Sequence, residues 1–220
     1  MDVRFKHEDT PCGPDLVPTQ AANEYYTQNV SVFIGPVCND GVIPLSYMAK
    51  IWNIPVITPR GNTRLIRNTT IFPNVISLFP FDKFELVRFT VYLLNKYKWE
   101  HLTLFVDKSV RRLETTGDSY YKYLETAQNL YWSYIPIYSE TFTDADYDEK
   151  LKEASMSSRI FILVMNLDDV RRMMLRAVDL EMTTGDYVYI VPEFSGEARI
   201  SSSVWRRNDR TDVKARRAFR

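Results

Sequence analysis

Val32-Phe33-Ile34-Gly35-Pro36-Val37-Cys38, followed after a helix-length interval by Trp52-Asn53-Ile54-Pro55-Val56-Ile57-Thr58, is the stretch that decides the fold. Val32 to Gly35 and Pro55 to Thr58 are short apolar runs of the kind that parallel sheets bury on both faces. Gly35 and Pro36 end the first run sharply and let the chain turn. Between the runs, Val42 to Trp52 has helical length, with an apolar face through Ile43, Tyr47, Met48 and Ile51. Strand, helix and strand with short connections make a parallel crossover unit. A further helix, Asp15 to Gln28, precedes it.

The alternation continues downstream. Phe84, Val87, Val91 and Leu94 recur at helical spacing in a segment ending near Trp99. Leu102 to Val106 reads as a strand, Asp118 to Asn129 as a helix and Tyr134 to Tyr138 as a strand. Tyr147 to Ser155 is helical, and Arg159 to Met165 is the strongest buried strand. Asp168 and Asp169 open a helix with Val170, Met173, Met174, Ala177 and Val178 on one face. The acidic pair suits the positive end of that helix dipole. Asp186 to Val191 is a closing strand. Strands and helices that alternate in this way predict an α/β protein, with parallel sheets flanked by helices. Pro73 and Pro80 disfavour helix between them, so the chain passes extended from one unit, residues 1–80, to a second, residues 81–220.

Composition excludes several function classes. The 220 residues carry 28 Lys plus Arg and 28 Asp plus Glu, so net charge suggests neither nucleic acid nor an anionic membrane as partner. Seven basic residues between Ser201 and Arg220 face two acidic ones, and no aromatic platform lies among them. That end therefore reads as a solvated loop or helix face. No run nears the ~18 apolar residues of a membrane span. Met1 is followed by Asp2, Arg4, Lys6, His7 and Glu8 rather than the apolar core of a secretory signal, which alone would point to the cytoplasm.

Catalytic patterns are equally scarce. His7 and His101 fall in different units without a triad partner, and no phosphate-cradling or nucleophile-elbow motif occurs. Asp144, Asp146, Asp148 and Glu149 lack the glycine and the terminal glutamate of a calcium loop, and read as a solvated helix start. No metal-ligand set emerges. Cys12 and Cys38, the only cysteines, have no zinc-type neighbours; a bridge and a pair of buried thiols both fit them.

Cys12, Gly35-Pro36-Val37-Cys38, Pro44 and the run from Ala49 to Thr58 together resemble the extracellular ligand-binding region of receptor guanylyl cyclases. That group includes the natriuretic peptide receptors and lies within the type I periplasmic-binding-protein-like superfamily. Lys98-Trp99-Glu100, Gly185-Asp186-Tyr187-Val188 and the pattern from Asp212 to Phe219 extend the likeness over nearly the whole chain. The resemblance implies a two-lobed fold, residues 1–80 in the first lobe and 81–220 in the second, incomplete at both ends. It implies a disulfide between Cys12 and Cys38. It also implies a sensor on the extracellular side of the plasma membrane, with the signal peptide, membrane helix and cyclase in segments outside these residues. Such a sensor would control cGMP synthesis without being an enzyme itself. Its expected mechanism is lobe closure or dimer rearrangement on binding a peptide or small molecule.

Several finer expectations follow from the likeness. Homodimerisation would use the first-lobe helices, through a face including Tyr26, Met48 and Ile51. The relatives hold a chloride partly through backbone N–H groups where Val37 and Cys38 stand, although Val37 replaces a glycine; no other cofactor is implied. Pro14 and Asp40 stand where the hormone receptors place hormone contacts, so a natriuretic peptide is not the expected ligand. A second disulfide of those receptors has no counterpart, since Val164 occupies its strand position. Asn68 and Asn29 open glycosylation sequons, Asn68 in the more open setting and Asn29 just before a buried strand. Open α/β sheets bind ligands beyond the carboxyl ends of their strands, which nominates Asp40, Arg60, Asn62, Asp107, Asn166 and Glu193. Two other readings stand beside this one: a different bilobal sensor, for amino acids or solutes, and a cytosolic α/β enzyme.

Overall fold

A computed structural model describes residues 4–7, 12–61, 63, 65–79, 83–192 and 205–219. The chain divides into two compact units, Met1–Glu85 and Leu86–Arg220. Each is α/β with a wholly parallel sheet among its described strands.

In the first unit, α1 (Leu16–Gln28) and α2 (Asn39–Trp52) lie against a three-stranded sheet of β1 (Phe33–Ile34), β2 (Val56–Thr58) and β3 (Val75–Ser77), ordered β1-β2-β3. Strand β3 falls inside the Pro73–Pro80 passage, which the prolines alone marked only as extended. Its register, Val56 beside Val75 and Thr58 beside Ser77, makes it a third parallel strand. Val17, Ala21, Leu45, Ala49 and Val56 form the core, with Phe33, Trp52 and Val75 packed around it. The Tyr25 ring stacks on Trp52 at 4.4 Å between centroids.

Two expectations fail here. The buried stripe of α2 is Gly41, Val42, Leu45, Ser46 and Ala49, not the larger Ile43-Tyr47-Met48-Ile51 set, whose Tyr47 and Ile51 face outward. The helices approach too closely for bulk. A Cβ on Gly41 would stand 2.6 Å from Val17 Cγ2, so small residues hold the contact. Likewise β1 is not buried on both faces: Phe33 is half-buried and Ile34 exposed, because α1 and α2 cover one side only.

The second unit has a four-stranded sheet ordered β5-β4-β6-β7, built from β4 (His101–Asp107), β5 (Tyr131–Ile137), β6 (Ile160–Val164) and β7 (Val188–Ile190). Both faces are covered. Leu102, Leu104, Val106, Ile160, Ile162 and Val164 pack against α3 (Lys83–Tyr97) and α4 (Arg111–Leu124). The alternate residues Phe105, Phe161 and Leu163 pack with α5 (Asp144–Ser155), α6 (Leu167–Asp179) and Ala218 of α7 (Asp212–Ala218). Two-sided burial is why these central strands read as unbroken apolar runs. Helix α4 begins and ends earlier than the apolar spacing indicates. Its buried stripe is Leu113, Thr116, Gly117, Tyr120 and Leu124, two of them too small or polar to register. Thr143 and Asp146 form a capping box at the start of α5, which accounts for the acidic run there.

The basic carboxyl-terminal segment is held rather than loose. Arg171 of α6, only 9% exposed, donates from Nε to the Trp205 carbonyl at 2.7 Å. Its Nη2 reaches Asp209 at 2.9 Å, Thr211 at 2.8 Å and Asp212 at 3.0 Å. Lys214 pairs with Asp179, and Arg207 with Asp168.

Two outcomes test these attachments. Reduction of the Cys12–Cys38 bridge, which closes a separation of 26 residues, lowers first-unit stability by about 3 kcal/mol and leaves the second unit unchanged. Segment-resolved hydrogen exchange with and without reductant reads both. Arg171→Met frees α7, so amides of residues 212–219 exchange about tenfold faster or more. In the unaltered chain the same release occurs on acidification. Hydrogen bonds from Thr211 hold Asp209 below the usual carboxylate range, and backbone N–H groups of Arg207 and Asn208 do so for Asp212. A carboxylate depressed in the fold stabilises it above the unfolded value and ceases to as pH falls through the folded one.

Candidate functional site

Parallel strands bring all their carboxyl ends to one edge, and in the second unit that edge contains the topological switch. From β4 the chain crosses to β5 on one side; from β6 it crosses to β7 on the other. The crevice between the ends of β4 and β6 is where open α/β sheets take ligands. Asp107 ends β4, and Asn166 follows β6 as the N-cap of α6. These two nominated residues share one edge, and Arg112 of α4 donates to Asn166 Oδ1 at 3.4 Å.

Asp107 itself points inward and is fully buried. Its Oδ1 accepts from the Ser109 backbone at 2.9 Å and the Ser139 backbone at 3.4 Å, and its Oδ2 from the Ser139 hydroxyl at 2.6 Å. All three donors are neutral. Asp107 therefore ties the loops after β4 and β5 together, a positioning role rather than a contact role. Lys108 next to it points away, to Glu114 at 3.2 Å and over the Tyr134 ring.

Residues the strand-end rule missed complete the edge. Asp168 and Asp169 are the second and third residues of α6 and diverge, as consecutive helical positions must. Asp168 is exposed and paired with Arg207. Asp169 is half-buried. Burial first, then the charges of Asp107 and Asp168, push its carboxyl above the usual range against the pull of Arg172. Tyr147 of α5 is fully buried, its ring 5.7 Å from Phe142 and 5.0 Å under the Arg172 guanidinium. Burial and nearby Asp169 push its phenol up to about 12. Tyr147 read in sequence as an apolar helix position, and nothing in the spacing marked its hydroxyl.

In the first unit, Asp40 lies half-buried in the first turn of α2, and Arg60 lies exposed just past β2, at the same carboxyl edge. Thr58, fully buried, donates to the Pro36 carbonyl at 2.7 Å and accepts from the Arg60 N–H at 3.3 Å, holding the β1 and β2 exits together. Gly35 makes its turn with φ +109°, a conformation open to glycine and strained for other residues. Cys38, the α2 N-cap, is bonded to Cys12 just before α1, with Cα atoms 6.0 Å apart. Asn62 and Glu193 lie outside the described residues. Asn68 is exposed, its carbonyl accepting from the Thr70 and Ile71 backbone at 3.0 and 3.3 Å. Asn29 is exposed too, at the C-cap of α1, not crowded by a buried strand as its position suggested. His101 opens β4 at the opposite, amino edge and stacks on Tyr131 at 4.9 Å.

A family model described as the receptor family ligand binding region matches residues 1–218. The chain belongs to that family. It is 23% identical over 225 residues to human atrial natriuretic peptide receptor 3, covering 99% of this chain and 41% of the relative. Mouse guanylate cyclase 2G is 22% identical over 203 residues, 92% of this chain and 18% of the relative. Receptor-type guanylate cyclase gcy-13 of Caenorhabditis elegans is 30% identical over 174 residues, 74% of this chain and 16% of the relative. The chain thus spans well under half the length of these relatives. The family is a ligand-binding one, and no described helix is long and apolar enough to cross a membrane.

The carboxyl edge depends on Asp107. Asp107→Ala leaves three buried or half-buried donors without an acceptor and destabilises the second unit by about 2–4 kcal/mol. Asp107→Asn, which keeps one carbonyl oxygen, costs about half as much. Urea unfolding of both variants checks the order.

Proposed function

We propose that this chain is the ligand-binding part of a receptor guanylyl cyclase ectodomain, acting outside the cell to govern a cyclase encoded in other segments of its parent. The single observation carrying this reading is the family match, which runs through both α/β units. The Cys12–Cys38 bridge, a bond that persists in oxidising compartments, supports the extracellular placement. The ligand is a peptide or small molecule, and the strand-end edge of each unit, taken by itself, offers it polar groups: Asp40 and Arg60 in the first, Asn166 and Asp169 in the second. Pro14 and Asp40 at the hormone-contact positions argue against a natriuretic peptide.

Homodimerisation belongs to the same proposal. Tyr26 on α1 is 76% exposed and Ile51 on α2 82% exposed, with half-buried Met48 on the same helix. Apolar residues of this size on adjacent helices suit a second copy of the chain. The same reading includes a chloride held by the backbone N–H groups of Val37 and Cys38, and glycans on Asn68 and Asn29.

Secretion of the chain from an animal cell behind a leader peptide tests the reading. The expected product has Cys12 and Cys38 oxidised, carries a glycan lost in Asn68→Gln, and sediments as a dimer that Ile51→Arg shifts to monomer. Atrial natriuretic peptide titrated against it gives no saturable heat. Free thiols in the secreted product, or a monomer indifferent to Ile51→Arg, would refute the placement and the dimer respectively.

A further inference from the structure

The amino edge of the second sheet, at the far end of the strands from Asp107, has a cavity of its own. Helix α3 stops where Lys98 takes φ +57°, with the Lys98 N–H donating to the Asn95 carbonyl at 3.2 Å and the Trp99 N–H to the Leu94 carbonyl at 2.9 Å. A left-handed residue that returns the chain to the last helical carbonyls is a common way for a helix to end. Helix α4 ends by tightening instead. The Thr126 N–H reaches the Tyr123 carbonyl and the Ala127 N–H the Leu124 carbonyl, both at 3.1 Å, and the Thr126 hydroxyl also donates to the Tyr123 carbonyl at 2.8 Å. Asn129, at φ +70°, then turns the chain into β5. Between the two helix endings opens a cavity of about 280 Å³. It is lined by Val91 and Asn95 of α3 and by Thr126, Ala127, Gln128 and Leu130 of the turn, with Tyr123 of α4 beside them.

Size and chemistry limit what this cavity takes. A water in the liquid occupies about 30 Å³, so the space is far more than one solvent site. It lies just below the ~300 Å³ at which drug-sized pockets begin, so the occupant is small. Val91 is 7% exposed and belongs to the core between the helices and the sheet, and Ala127 and Leu130 are half-buried, which gives the cavity an aliphatic side. No Asp, Glu, Lys, Arg or His is among the lining residues. A charged group entering would lose hydration with no counter-charge to replace it. Asn95 and Gln128 are exposed, and neither carboxamide bonds to any described residue. Each offers a carbonyl acceptor beside an N–H donor. A head group that both donates and accepts satisfies them, whereas one that only accepts leaves half the set unused.

We infer that this cavity is a second binding site, for a small uncharged molecule that joins a short branched aliphatic part to a carboxamide head. The aliphatic part packs on Val91, Ala127 and Leu130, and the carboxamide exchanges hydrogen bonds with Asn95 and Gln128. Asp107 and Asn166 stand at the opposite ends of the strands, so the occupant does not compete for the carboxyl edge. Bound there, it spans the ends of α3 and α4 and opposes the fraying of both. The site goes beyond the receptor reading and rests on neither the family match nor the extracellular placement.

The probe is 3-methylbutanamide, titrated into the full chain. For comparison, 3-methylbutanoate, 3-methylbutylammonium and 4-methylpentan-2-one carry the same branched end on an anionic, a cationic and an accept-only head. Methyl NMR at Val91, Ala127 and Leu130 follows binding. The amide gives saturable shifts at these residues, and each comparison compound binds about threefold more weakly or worse. Asn95→Ala combined with Gln128→Ala, both at exposed positions, keeps the fold and weakens amide binding about threefold or more. Ala127→Leu fills the cavity and abolishes the shifts at Val91 and Leu130, while the Leu163 methyls on the other face of the sheet hold their positions and report an intact fold. Should that variant not fold, the double variant decides. Absence of saturable shifts overturns the inference. So does a comparison compound that matches the amide to within about threefold, or amide binding that either variant leaves intact. Secretion, oxidation and dimerisation are measured without these compounds, so each such result leaves the receptor reading standing.

Discussion

Asp107 is a carboxylate with no exposed surface, and three neutral hydrogen bonds are what let it remain there. The cost of burying charge is met only where donors are preplaced, so the loops after β4 and β5 have one arrangement that works. The loop after β5 leads through Tyr138 and Phe142 to the capping box that starts α5, and α5 carries Tyr147 into the α5–α6 contact. One buried acid thus ties together the two loops that precede α4 and α5. In the first unit the corresponding constraint is covalent. The Cys12–Cys38 bridge fixes the start of α1 against the N-cap of α2, where Gly41 lets the helices meet.

The individual strands were legible wherever burial is two-sided. Arg159 to Met165 contains five consecutive buried residues of β6, and a run of that kind has little freedom to be anything else. Legibility fell where packing uses small residues. The inner stripe of α2 holds Gly41, Ser46 and Ala49, and that of α4 holds Thr116 and Gly117, so a search for large apolar residues finds the outer face of one and the wrong ends of the other. Strand β3 was hidden by its brevity and by flanking prolines. Helix α7 was hidden because its attachment is ionic: Arg171 reaches residues 34 to 41 positions away, a separation no local pattern records.

The functional edge was half legible for a related reason. The rule that ligands gather at strand ends finds Asp107 and Asn166 because it concerns the backbone, which the sequence pattern describes well. It does not say which way a side chain turns. Asp107 turns inward and becomes structural, whereas Asp169, read with Asp168 as a pair at a helix dipole, separates from it and is half-buried while Asp168 is exposed. Tyr147 shows the same limit. Its ring does satisfy the apolar spacing, and only its surroundings reveal an oxygen with nothing to bond.

Acid acts in opposite senses on two sets of carboxylates near the start of α6. At Asp209 and Asp212 the folded carboxyls are depressed by hydrogen bonds to the neighbouring backbone and side chains, so their charge stabilises the fold at neutral pH and that contribution is lost on acidification. At Asp169 the folded carboxyl is raised by burial and like charge, so its ionised form opposes folding at neutral pH and protonation relieves it. A latch is built from charges that the fold favours.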